Sequence, residues 1–475
     1  MRKQNEGRIT NDERMTNDQC QSTKEPVAGA NGQGHFRHST LDLLSSLSLR
    51  HSSFFCGSRP RRSGPVRVCH LGKFYPPALG GIETHVAALA RSQAELGAKV
   101  RVLCVHHLDR HGRDVTWDRF AQTETVEEWD GPVRVIRMGR RACVARLDFC
   151  LELPSLLNRL RRAEVDLFHL HVPNPTMLLA LAALRPRVPL VVTYHSDVIK
   201  QKVLQLAVQP FERVVFHDAA MILSTSPLYP GGSATLQRYC GKLGVLPLGI
   251  DLGPYLRPAA AALEHGRRLR AEHSWPLWLA VGRLVYYKGL HNAIRALALV
   301  PGKLMIVGQG PLEDDLRRLA EEVGVAERVC WRGRVSMEEL VGAYRAATAY
   351  WFPSNDRSEG FGLVQVEAMA SGCPVLNTSI PHSGVSWVSR HEETGLTVRP
   401  NDPAGLAAAA NRLLHEPGLR ERLARNAGAR ARLEFDQALM AARSLKFYER
   451  VLGDGSAYGV PKHGTVSRME AVLPK

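Results

Sequence analysis

Short apolar runs alternate with amphipathic stretches along most of the chain, starting near Val66. Val66–Leu71 is an apolar run that predicts a strand, and a helical pattern follows over Glu83–Leu96. Val100–Val105 is the next predicted strand, which completes a strand–helix–strand unit of the kind whose strands pair in parallel. The pattern of apolar positions therefore predicts an α/β fold from its first elements onward.

The same alternation occurs in two series, separated by a passage rich in proline and glycine from Leu246 to Pro258. Further strands of the first series are predicted at Val133–Ile136, Leu167–His171, Leu190–Tyr194 and Met221–Ser224. The second series predicts strands at Leu277–Val281, Lys303–Val307, Arg328–Trp331, Tyr350–Phe352 and Pro374–Asn377, with helices at Leu312–Val323 and Met337–Ala346. Two such series predict two Rossmann-like domains with mostly parallel sheets facing a cleft, where ligands gather at the carboxyl ends of strands.

The change in composition along the chain predicts where these domains begin and end. Residues 1–64 are polar and aperiodic, which is typical of a disordered tail or of sequence upstream of the true start, with Met15 as an alternative first residue. The two Rossmann-like domains are predicted at 65–253 and 254–435. A C-terminal helix over 436–455 is expected to pack back on the first domain, and 456–475 is expected to be a flexible tail.

The composition of the 475 residues is that of a globular protein, with 44% hydrophobic and 23% charged residues. A net charge of +16 favours polyanionic or phosphorylated partners without choosing among them. The nine cysteines form no Cys-x-x-Cys pair, so the sequence favours a protein of the reducing cytoplasm over a disulfide framework or a zinc ribbon. The apolar run Met177–Leu184 is far shorter than the roughly 20 residues that a membrane-spanning helix needs.

Two loops that follow predicted strands have the composition of a phosphate-binding site. Gly80 and Gly81 precede a helix, where free amides favour phosphate, although an ordinary turn would use the same residues. Arg283 and Lys288 follow the strand Leu277–Val281 and together suit a pyrophosphate, although a solvated basic loop would have the same composition. Neither a Gly-x-Gly-x-x-Gly motif nor a Walker lysine pattern is present, so nicotinamide and P-loop chemistry lose support.

The most specific segment runs from Ser358 to Gly372 and contains two glutamates, Glu359 and Glu367, that are eight positions apart. The first lies in a Gly-Phe-Gly turn and the second lies two turns into the helix that follows, so both can face one cleft. The amides of four residues would be free at the start of that helix to bind a phosphate oxygen: Gly360, Phe361, Gly362 and Leu363. Two glutamates alone would more often be one surface acid and one buried acid paired to a neighbour.

Together these motifs resemble the family 4 glycosyltransferases, which are retaining enzymes with the two-domain GT-B fold. The resemblance covers about Val66 to Leu452. Gly80-Gly81 is similar to the family's donor-phosphate loop, and Thr193-Tyr-His-Ser-Asp197 is similar to its histidine motif. Arg283 with Lys288 resembles its pyrophosphate clamp, and Glu359 with Glu367 resembles its E-x7-E motif.

The resemblance implies a role for each site residue. Glu359 would hold hydroxyls of the donor sugar, Glu367 would hold the nucleotide ribose, and His195 would lie near the reacting carbon. The first domain would bind the acceptor and the second domain the nucleotide sugar. His169 and His171 follow another strand and receive no role.

The resemblance also implies the reaction, which is transfer of a hexose with retention from a nucleoside-diphosphate sugar to a glycan or lipid-linked acceptor in cell-surface polysaccharide or glycolipid synthesis. The segments Thr193–Lys202 and Asn377–Val388 are similar to parts of bacterial mannosyl- and rhamnosyltransferases, which favours GDP-mannose or a related nucleotide sugar as the donor. We expect no cofactor and no metal, because the sequence contains no Asp-x-Asp and the Arg283–Lys288 clamp can neutralise a leaving diphosphate.

Two alternative functions and one location stay open at this stage. A nucleotide-sugar epimerase has the same two-domain architecture, and a basic nucleic-acid-binding protein would have the same positive charge. We expect no nucleic acid among the partners, because the sequence contains no recognised nucleic-acid-binding module. The stretch Ile199–Phe216 mixes basic and apolar residues and predicts attachment to an anionic membrane surface on the cytoplasmic side. A helix packed on its own domain would show the same pattern.

Overall fold

The computed structural model describes residues 64–453, apart from Leu79, Trp117, Ala145, residues 198–201 and residues 274–275. The side chains of Ala163 and of residues 202–205 also lie outside the description. The tails predicted at 1–64 and 456–475 therefore fall almost entirely beyond the described residues and stay predictions.

The first half of the described chain builds an eight-stranded sheet whose interior strands are buried on both faces. Its strands are β1 Arg67–Leu71, β2 Lys99–Val105, β3 Val126–Asp130, β4 Val133–Met138, β7 Leu167–Val172, β8 Leu190–Tyr194, β9 Met221–Ser224 and β10 Leu243–Val245, and a small hairpin adds β5 Ala142–Val144 and β6 Leu147–Phe149. The order is β10-β9-β8-β7-β1-β2-β4-β3, parallel except for the antiparallel edge strand β3. All six residues of β7 are buried, as expected of a strand covered by helices on both faces.

Five helices connect these strands: α1 Gly81–Glu95, α2 Leu153–Ala163, α3 Pro175–Leu184, α4 Lys202–Asp218 and α5 Ala234–Arg238. Capping residues and prolines mark where some of them begin. Asn174 accepts a hydrogen bond from the amide of Met177 and so caps α3, whose first residue is a proline.

The second half builds a six-stranded, wholly parallel sheet. Its strands are β11 Leu277–Val281, β12 Lys303–Val307, β13 Val329–Gly333, β14 Ala349–Trp351, β15 Val375–Thr378 and β16 Gly395–Val398, in the order β13-β12-β11-β14-β15-β16. Its helices are α6 Gly253–Leu256, α7 Ala260–Glu272, α8 Leu290–Leu297, α9 Glu313–Glu322, α10 Met337–Ala346, α11 Leu363–Ala370, α12 Val385–Val388, α13 Pro403–His415 and α14 Leu419–Glu434. Trp278 and Trp351 are fully buried on neighbouring strands and stack with their ring centroids 5.1 Å apart.

Each sheet has one point at which the strand order reverses direction. In the first sheet this point lies between β1 and β7, and in the second sheet it lies between β11 and β14. Loops that leave the carboxyl ends of such neighbouring strands diverge to opposite faces of the sheet and open a crevice between them. The candidate residues after β1, β8, β11 and β14 therefore lie close to two such crevices.

The chain crosses between the two sheets twice, and the crossings lie side by side. The amide of Ile250 donates to the carbonyl of Phe435, and the amide of Gln437 donates back to the carbonyl of Ile250. The last helix, α15 Gln437–Leu452, then packs on α1 and contributes Leu445 and Tyr448 to the core of the first sheet. The C-terminal helix thus lies against elements far away in sequence.

The sequence predicts the α/β class and the interior strands, and the structure confirms both. Five strands were not predicted: β3, β10, β16 and the two hairpin strands β5 and β6. β3 exposes Val126 and Trp129, and β16 is four residues long with a leading glycine, so neither shows the apolar run on which the prediction depends.

No helix within residues 64–453, as far as the structure describes them, is long and apolar enough to cross a membrane. In α4, Val215 is 2% exposed, although the predicted membrane-binding stretch included it among its apolar residues. That part of the prediction is wrong, because Val215 packs into the core of the first sheet. Leu206 and Phe211 of the same helix do face outward.

Candidate active site

The loop after β11 is shaped by a close approach between its first glycine and a lysine side chain. Gly282 has φ +141°, and a Cβ built on it would lie 3.3 Å from Cε of Lys288. Lys288 ends a single helical turn, and Gly289 closes that turn with φ +63°. The two glycines therefore let the loop fold back so that the lysine lies over the carboxyl end of β11.

Lys288 forms an ion pair with Glu359, which lies in the loop after β14. The distance from Nζ to Oε2 is 2.6 Å, and the two side chains are only 13% and 10% exposed. The lysine ammonium also lies 4.9 Å from the centroid of the Phe352 ring, and the Ser354 hydroxyl donates to Oε2 of Glu359 at 3.4 Å. The sequence assigned separate roles to Lys288 and Glu359, and the structure brings them into direct contact.

Arg283 has a different environment from Lys288, although only five positions separate them. Its side chain is exposed, and within the described part of the chain it makes no hydrogen bond and no ion pair. A guanidinium in this state keeps its planar set of N–H donors available for an anion.

Glu367 lies on α11 beside two tyrosines that sequence analysis did not find. The Tyr344 hydroxyl donates to Oε2 of Glu367 at 3.0 Å. Burial raises the pKa of the Glu367 carboxyl, while hydrogen bonds from Tyr344 and Tyr255 and the charge of Lys288 lower it in part. The tyrosines come from α10 and the short α6, so only the three-dimensional arrangement shows that they meet this glutamate.

The start of α11 presents free backbone amides. Gly362 precedes the helix in the left-handed region, with φ +78°. No acceptor within the described chain pairs with the amides from Gly360 to Leu363. The ring of Phe361 packs in the core against Trp387 and Phe435, so only its backbone is available to a ligand.

His195 follows β8 and meets the second sheet through its backbone. A Cβ built on Gly360 would lie 2.9 Å from the His195 carbonyl oxygen, which is closer than real Cβ atoms come to other atoms. The His195 side chain is 8% exposed. The structure thus places the predicted histidine directly against the loop that carries Glu359.

A second contact between the same loops was not predicted. Arg357 forms an ion pair with Asp197 at 3.0 Å, and its Nη1 donates to the carbonyl of Gly232 at 2.6 Å. Its guanidinium also lies 4.6 Å from the centroid of the Tyr229 ring. Asp197 is two positions after His195 and Arg357 is two positions before Glu359, but sequence spacing alone cannot show that these positions face each other.

Gly80 and Gly81 are exposed at the start of α1, as the sequence suggested. A Cβ on Gly80 would overlap the carboxylate of Glu83, which folds back over the first turn. Burial raises the pKa of the Glu83 carboxyl. One turn further on, the ring of His85 packs edge-on against His195 with centroids 4.9 Å apart, which connects this loop to the histidine after β8.

Four further buried histidines lie behind His195, and sequence analysis did not predict that the five cluster. Two overlapping sets have ring nitrogens within 4.8 Å of one another and could hold a metal ion: His70, His169 and His171, and His85, His171 and His195. Burial lowers the pKa of His70 to about 4 and that of His195 to about 3, and it lowers the pKa of the other three well below the ordinary value. The rings of His70, His171 and His195 also hydrogen-bond to one another, as neutral imidazoles can.

Comparison with known proteins gives two family matches that together span most of the described chain. Residues 79–253 match the model described as "Glycosyltransferase Family 4", and residues 265–430 match that described as "Glycosyl transferases group 1". Over 371 residues the chain is 34% identical to the D-rhamnosyltransferase WbpZ of Pseudomonas aeruginosa, covering 78% of this chain and 92% of that protein. It is 28% identical to the O-antigen chain mannosyltransferase C of Escherichia coli, covering 81% of this chain and 97% of that protein.

Solved structures show the same fold at lower identity. Sucrose-phosphate synthase from Thermosynechococcus elongatus has a TM-score of 0.66 at 24% identity, covering 82% of this chain and 99% of that one. HepE from Anabaena in complex with UDP-glucose has a TM-score of 0.61 at 18% identity, covering 81% of this chain and 99% of that one.

Proposed function

The chain belongs to glycosyltransferase family 4, and on that premise we propose that it moves a hexose from a nucleoside-diphosphate sugar to a hydroxyl of a glycan or lipid-linked acceptor. Its fold is the GT-B fold and it is a glycosyltransferase, so the epimerase and the nucleic-acid-binding alternatives lose their support. The proposal concerns the donor, the acceptor, the stereochemistry and the residues that act.

One observation carries the assignment of the site. The Lys288–Glu359 ion pair lies at the crevice between β11 and β14, in the loop whose Gly360 touches the His195 carbonyl of the other sheet. A cation, a carboxylate and free helix-start amides at one crevice match what a nucleoside-diphosphate sugar presents, namely phosphates and hydroxyls.

We assign the leaving diphosphate to Arg283 and Lys288. Negative charge develops on the diphosphate as the bond to the sugar breaks, so donors fixed in place before reaction lower the barrier. The amides from Gly360 to Leu363 and the start of α1 at Gly80 and Gly81 would add uncharged donors. When the donor binds, Lys288 is shared between Glu359 and the phosphates, and Glu359 is left to accept hydrogen bonds from sugar hydroxyls.

The nucleotide ribose is assigned to Glu367. Its carboxylate is held by hydrogen bonds from Tyr344 and Tyr255, and because a carboxylate has about four acceptor sites it can also accept from a ribose hydroxyl. Because the side chain is mostly enclosed, a ribose hydroxyl there would exchange its hydrogen bond to water for one to a charged acceptor, which is the stronger kind.

Retention and metal independence are parts of the same proposal. Retention requires the acceptor hydroxyl to enter on the face from which the diphosphate leaves. Arg283 and Lys288 would supply the positive charge that a divalent cation supplies in other enzymes. We expect sugar transfer to proceed unchanged in EDTA, and loss of transfer in EDTA with recovery in magnesium or manganese would contradict this part.

The favoured donor is GDP-mannose or a related nucleotide sugar, and the favoured setting is the assembly of a cell-surface polysaccharide or glycolipid. The support is that two relatives matched over most of their length are named a rhamnosyltransferase and an O-antigen mannosyltransferase. We place the protein in the cytoplasm, at the inner face of the membrane, where a lipid-linked acceptor would be reached.

A panel of nucleotide sugars tests the proposal. Each donor is mixed with the protein and a glycan acceptor, and both the free nucleoside diphosphate and the sugar on the acceptor are measured. We expect GDP-mannose to give both products in equal amounts. Recovery of an intact donor with an altered sugar would instead indicate an epimerase.

A further inference from the structure

A continuous line of hydrogen bonds runs through the buried histidines from α1 to the candidate site. Oε1 of Gln93 lies 2.8 Å from Nε2 of His70, and Nδ1 of His70 lies 3.0 Å from Nε2 of His171. Nδ1 of His171 then lies 3.2 Å from Nε2 of His195. All four side chains are at least nine-tenths buried, so water does not compete for these bonds.

Which nitrogen donates in each of these hydrogen bonds depends on the orientation of the Gln93 amide. Contacts with helix α15 fix that orientation. Nε2 of Gln93 contacts the Ser444 hydroxyl at 2.7 Å and the Tyr448 hydroxyl at 2.9 Å. The single proton of Ser444 is already donated to the Ala441 carbonyl at 2.6 Å, so Ser444 can only accept from Gln93. The amide NH₂ therefore faces α15, and the amide oxygen faces His70.

The tautomer of each histidine follows in turn. Because the Gln93 oxygen can only accept, His70 carries its proton on Nε2 and accepts at Nδ1. His171 must then donate from Nε2 and accept at Nδ1, so His195 must donate from Nε2. A neutral imidazole has one N–H, which leaves Nδ1 of His195 with a lone pair and no partner among the described residues.

The rings in the line are neutral under ordinary conditions. Burial lowers the pKa of His70 to about 4, that of His195 to about 3 and that of His171 well below its ordinary value. A neighbouring histidine outside the line has its own partners: His169 bonds to the Tyr448 hydroxyl at 2.6 Å and to the Thr193 hydroxyl at 2.7 Å.

We propose that Gln93, His70 and His171 are positioning residues that hold His195 as the Nε2–H tautomer and so present Nδ1 to the substrate as a hydrogen-bond acceptor. The inference rests on the proposed function in one respect, that His195 contacts the sugar donor or the acceptor. A phosphate oxygen offers only lone pairs, so among the phosphates and hydroxyls of the donor and the acceptor only a hydroxyl can donate to Nδ1. His195 therefore recognises a sugar hydroxyl and takes no part in holding the diphosphate.

The tautomer is measured directly in the full-length protein without any substrate. With ¹⁵N-labelled histidine, NMR distinguishes a protonated from an unprotonated ring nitrogen, and the signals of His195 are identified by their loss in His195→Asn. We expect Nε2 protonated and Nδ1 unprotonated. A protonated Nδ1, or a cobalt absorption band that depends on His171 after Co²⁺ is added, would overturn the proposal.

Two substitutions at one position then test the effect on catalysis. In His171→Asn the amide oxygen can take the place of Nδ1 and keep the bond to His195, whereas in His171→Gln the amide lies one atom further out and loses that bond. We expect His171→Gln to lower kcat/KM by roughly 5- to 150-fold, which is the cost of a buried unpaired donor. His171→Asn should keep most of the wild-type kcat/KM. Equal loss in both variants would contradict the proposal.

His169→Gln is the matched control, because His169 is equally buried on the same strand but lies outside the line. It should lower the melting temperature without changing the His195 nitrogen signals. Because these signals are recorded without a sugar donor, the experiment tests the tautomer of His195 independently of the proposed transfer activity. A protein with Nδ1 unprotonated and no transfer activity would contradict only the latter.

Discussion

Single residues at the candidate site differ in how strongly the surrounding chain holds them. Lys288 and Glu359 hold each other in an ion pair that is nearly enclosed, so each satisfies a charge that would otherwise be costly to bury. Arg283 is exposed and has no ionic partner among the residues described, so its charge is available to a ligand at once. Of the proposed site residues, Arg283 is therefore the one whose removal should affect folding least.

Arg283→Ala is therefore expected to lower kcat/KM by about 10- to 150-fold, because a hydrogen bond to a charged group is worth roughly 1.5–3 kcal/mol. The melting temperature should change little. Arg295→Ala serves as the control, since Arg295 is an exposed arginine in the last turn of α8. If steady-state kinetics find Arg283→Ala as active as Arg295→Ala, Arg283 does not belong to the site.

At the scale of the elements, the loops after β8 and β14 meet so closely that one position tolerates no side chain. Gly360→Ala would bring a Cβ to 2.9 Å from the His195 carbonyl, and backbone on both sides leaves little room to adjust. We expect a loss of kcat of tenfold or more, with roughly 1–3 kcal/mol of destabilisation at most, as for other overpacked sites.

Gly428→Ala is the matched control for that substitution. Gly428 lies within α14, where a Cβ would meet only the Met369 carbonyl at an ordinary 3.6 Å, and alanine favours a helix more than glycine does. We expect that variant to be at least as stable as the wild type and fully active. A fully active Gly360→Ala enzyme would show that the two loops separate during the reaction.

Many of the elements and the motifs on them could be predicted from the sequence, but the contacts between them could not. The interior strands have apolar runs and were predicted, and the motifs containing Glu359, Lys288 and His195 were found one by one. The contacts between them could not be predicted. Lys288 and Glu359 come from loops that the order of β11 and β14 brings together, and Asp197 and Arg357 come from loops on two different sheets. The histidine line was missed because its members come from α1, β1, β7 and the loop after β8, which are far apart in sequence.

The buried histidines of the first sheet make stability depend on pH. In the folded protein the pKa of His70 is lowered to about 4 and that of His195 to about 3, while the unfolded chain titrates near the ordinary 6.5. The unfolded state therefore binds more protons below pH 6.5, and stability that is fully present above that pH is lost as the pH falls toward the folded pKa values. Each such histidine contributes up to about 1.4 kcal/mol per pH unit.

We expect the melting temperature to fall between pH 7.5 and about pH 5.5, before carboxyl groups of ordinary pKa titrate. His169→Gln should make this fall shallower, whereas His217→Gln should not, because the His217 side chain is 82% exposed. A melting temperature that is constant over this range, measured by calorimetry, would show that the five rings are not held neutral by burial.

At the scale of the whole molecule, the net charge of +16 bears on where the enzyme works. Each basic residue near an anionic surface is worth about 1 kcal/mol, and salt screens it over roughly 10 Å at 0.1 M. Helix α4 adds the outward-facing Leu206, Phe211 and Arg213, and Lys200 precedes it in the sequence. We therefore expect binding to anionic vesicles, little binding to neutral ones, and a steep decrease with salt.

The double variant Lys200→Glu with Lys202→Glu should weaken vesicle binding further in a flotation assay. Arg295→Glu with Lys446→Glu changes the net charge by the same amount at exposed positions elsewhere and is the control. Equal loss of vesicle binding in the two double variants would mean that binding depends on the net charge of the protein and not on the position of the charges at α4. Equal, negligible recovery with both kinds of vesicle would contradict membrane attachment.

Metal-independent transfer of mannose is tested by measuring both products of one reaction. The protein is incubated with GDP-mannose labelled in the sugar and a lipid-linked glycan acceptor, in EDTA, and free GDP and labelled acceptor are measured over time for the wild type and Arg283→Ala. We expect equal amounts of GDP and mannosylated acceptor from the wild type, with the mannose in the α-configuration of the donor, and at least tenfold slower formation of both by the variant. Labelled acceptor formed at the same rate by both proteins, or only when a divalent metal is added, would contradict it.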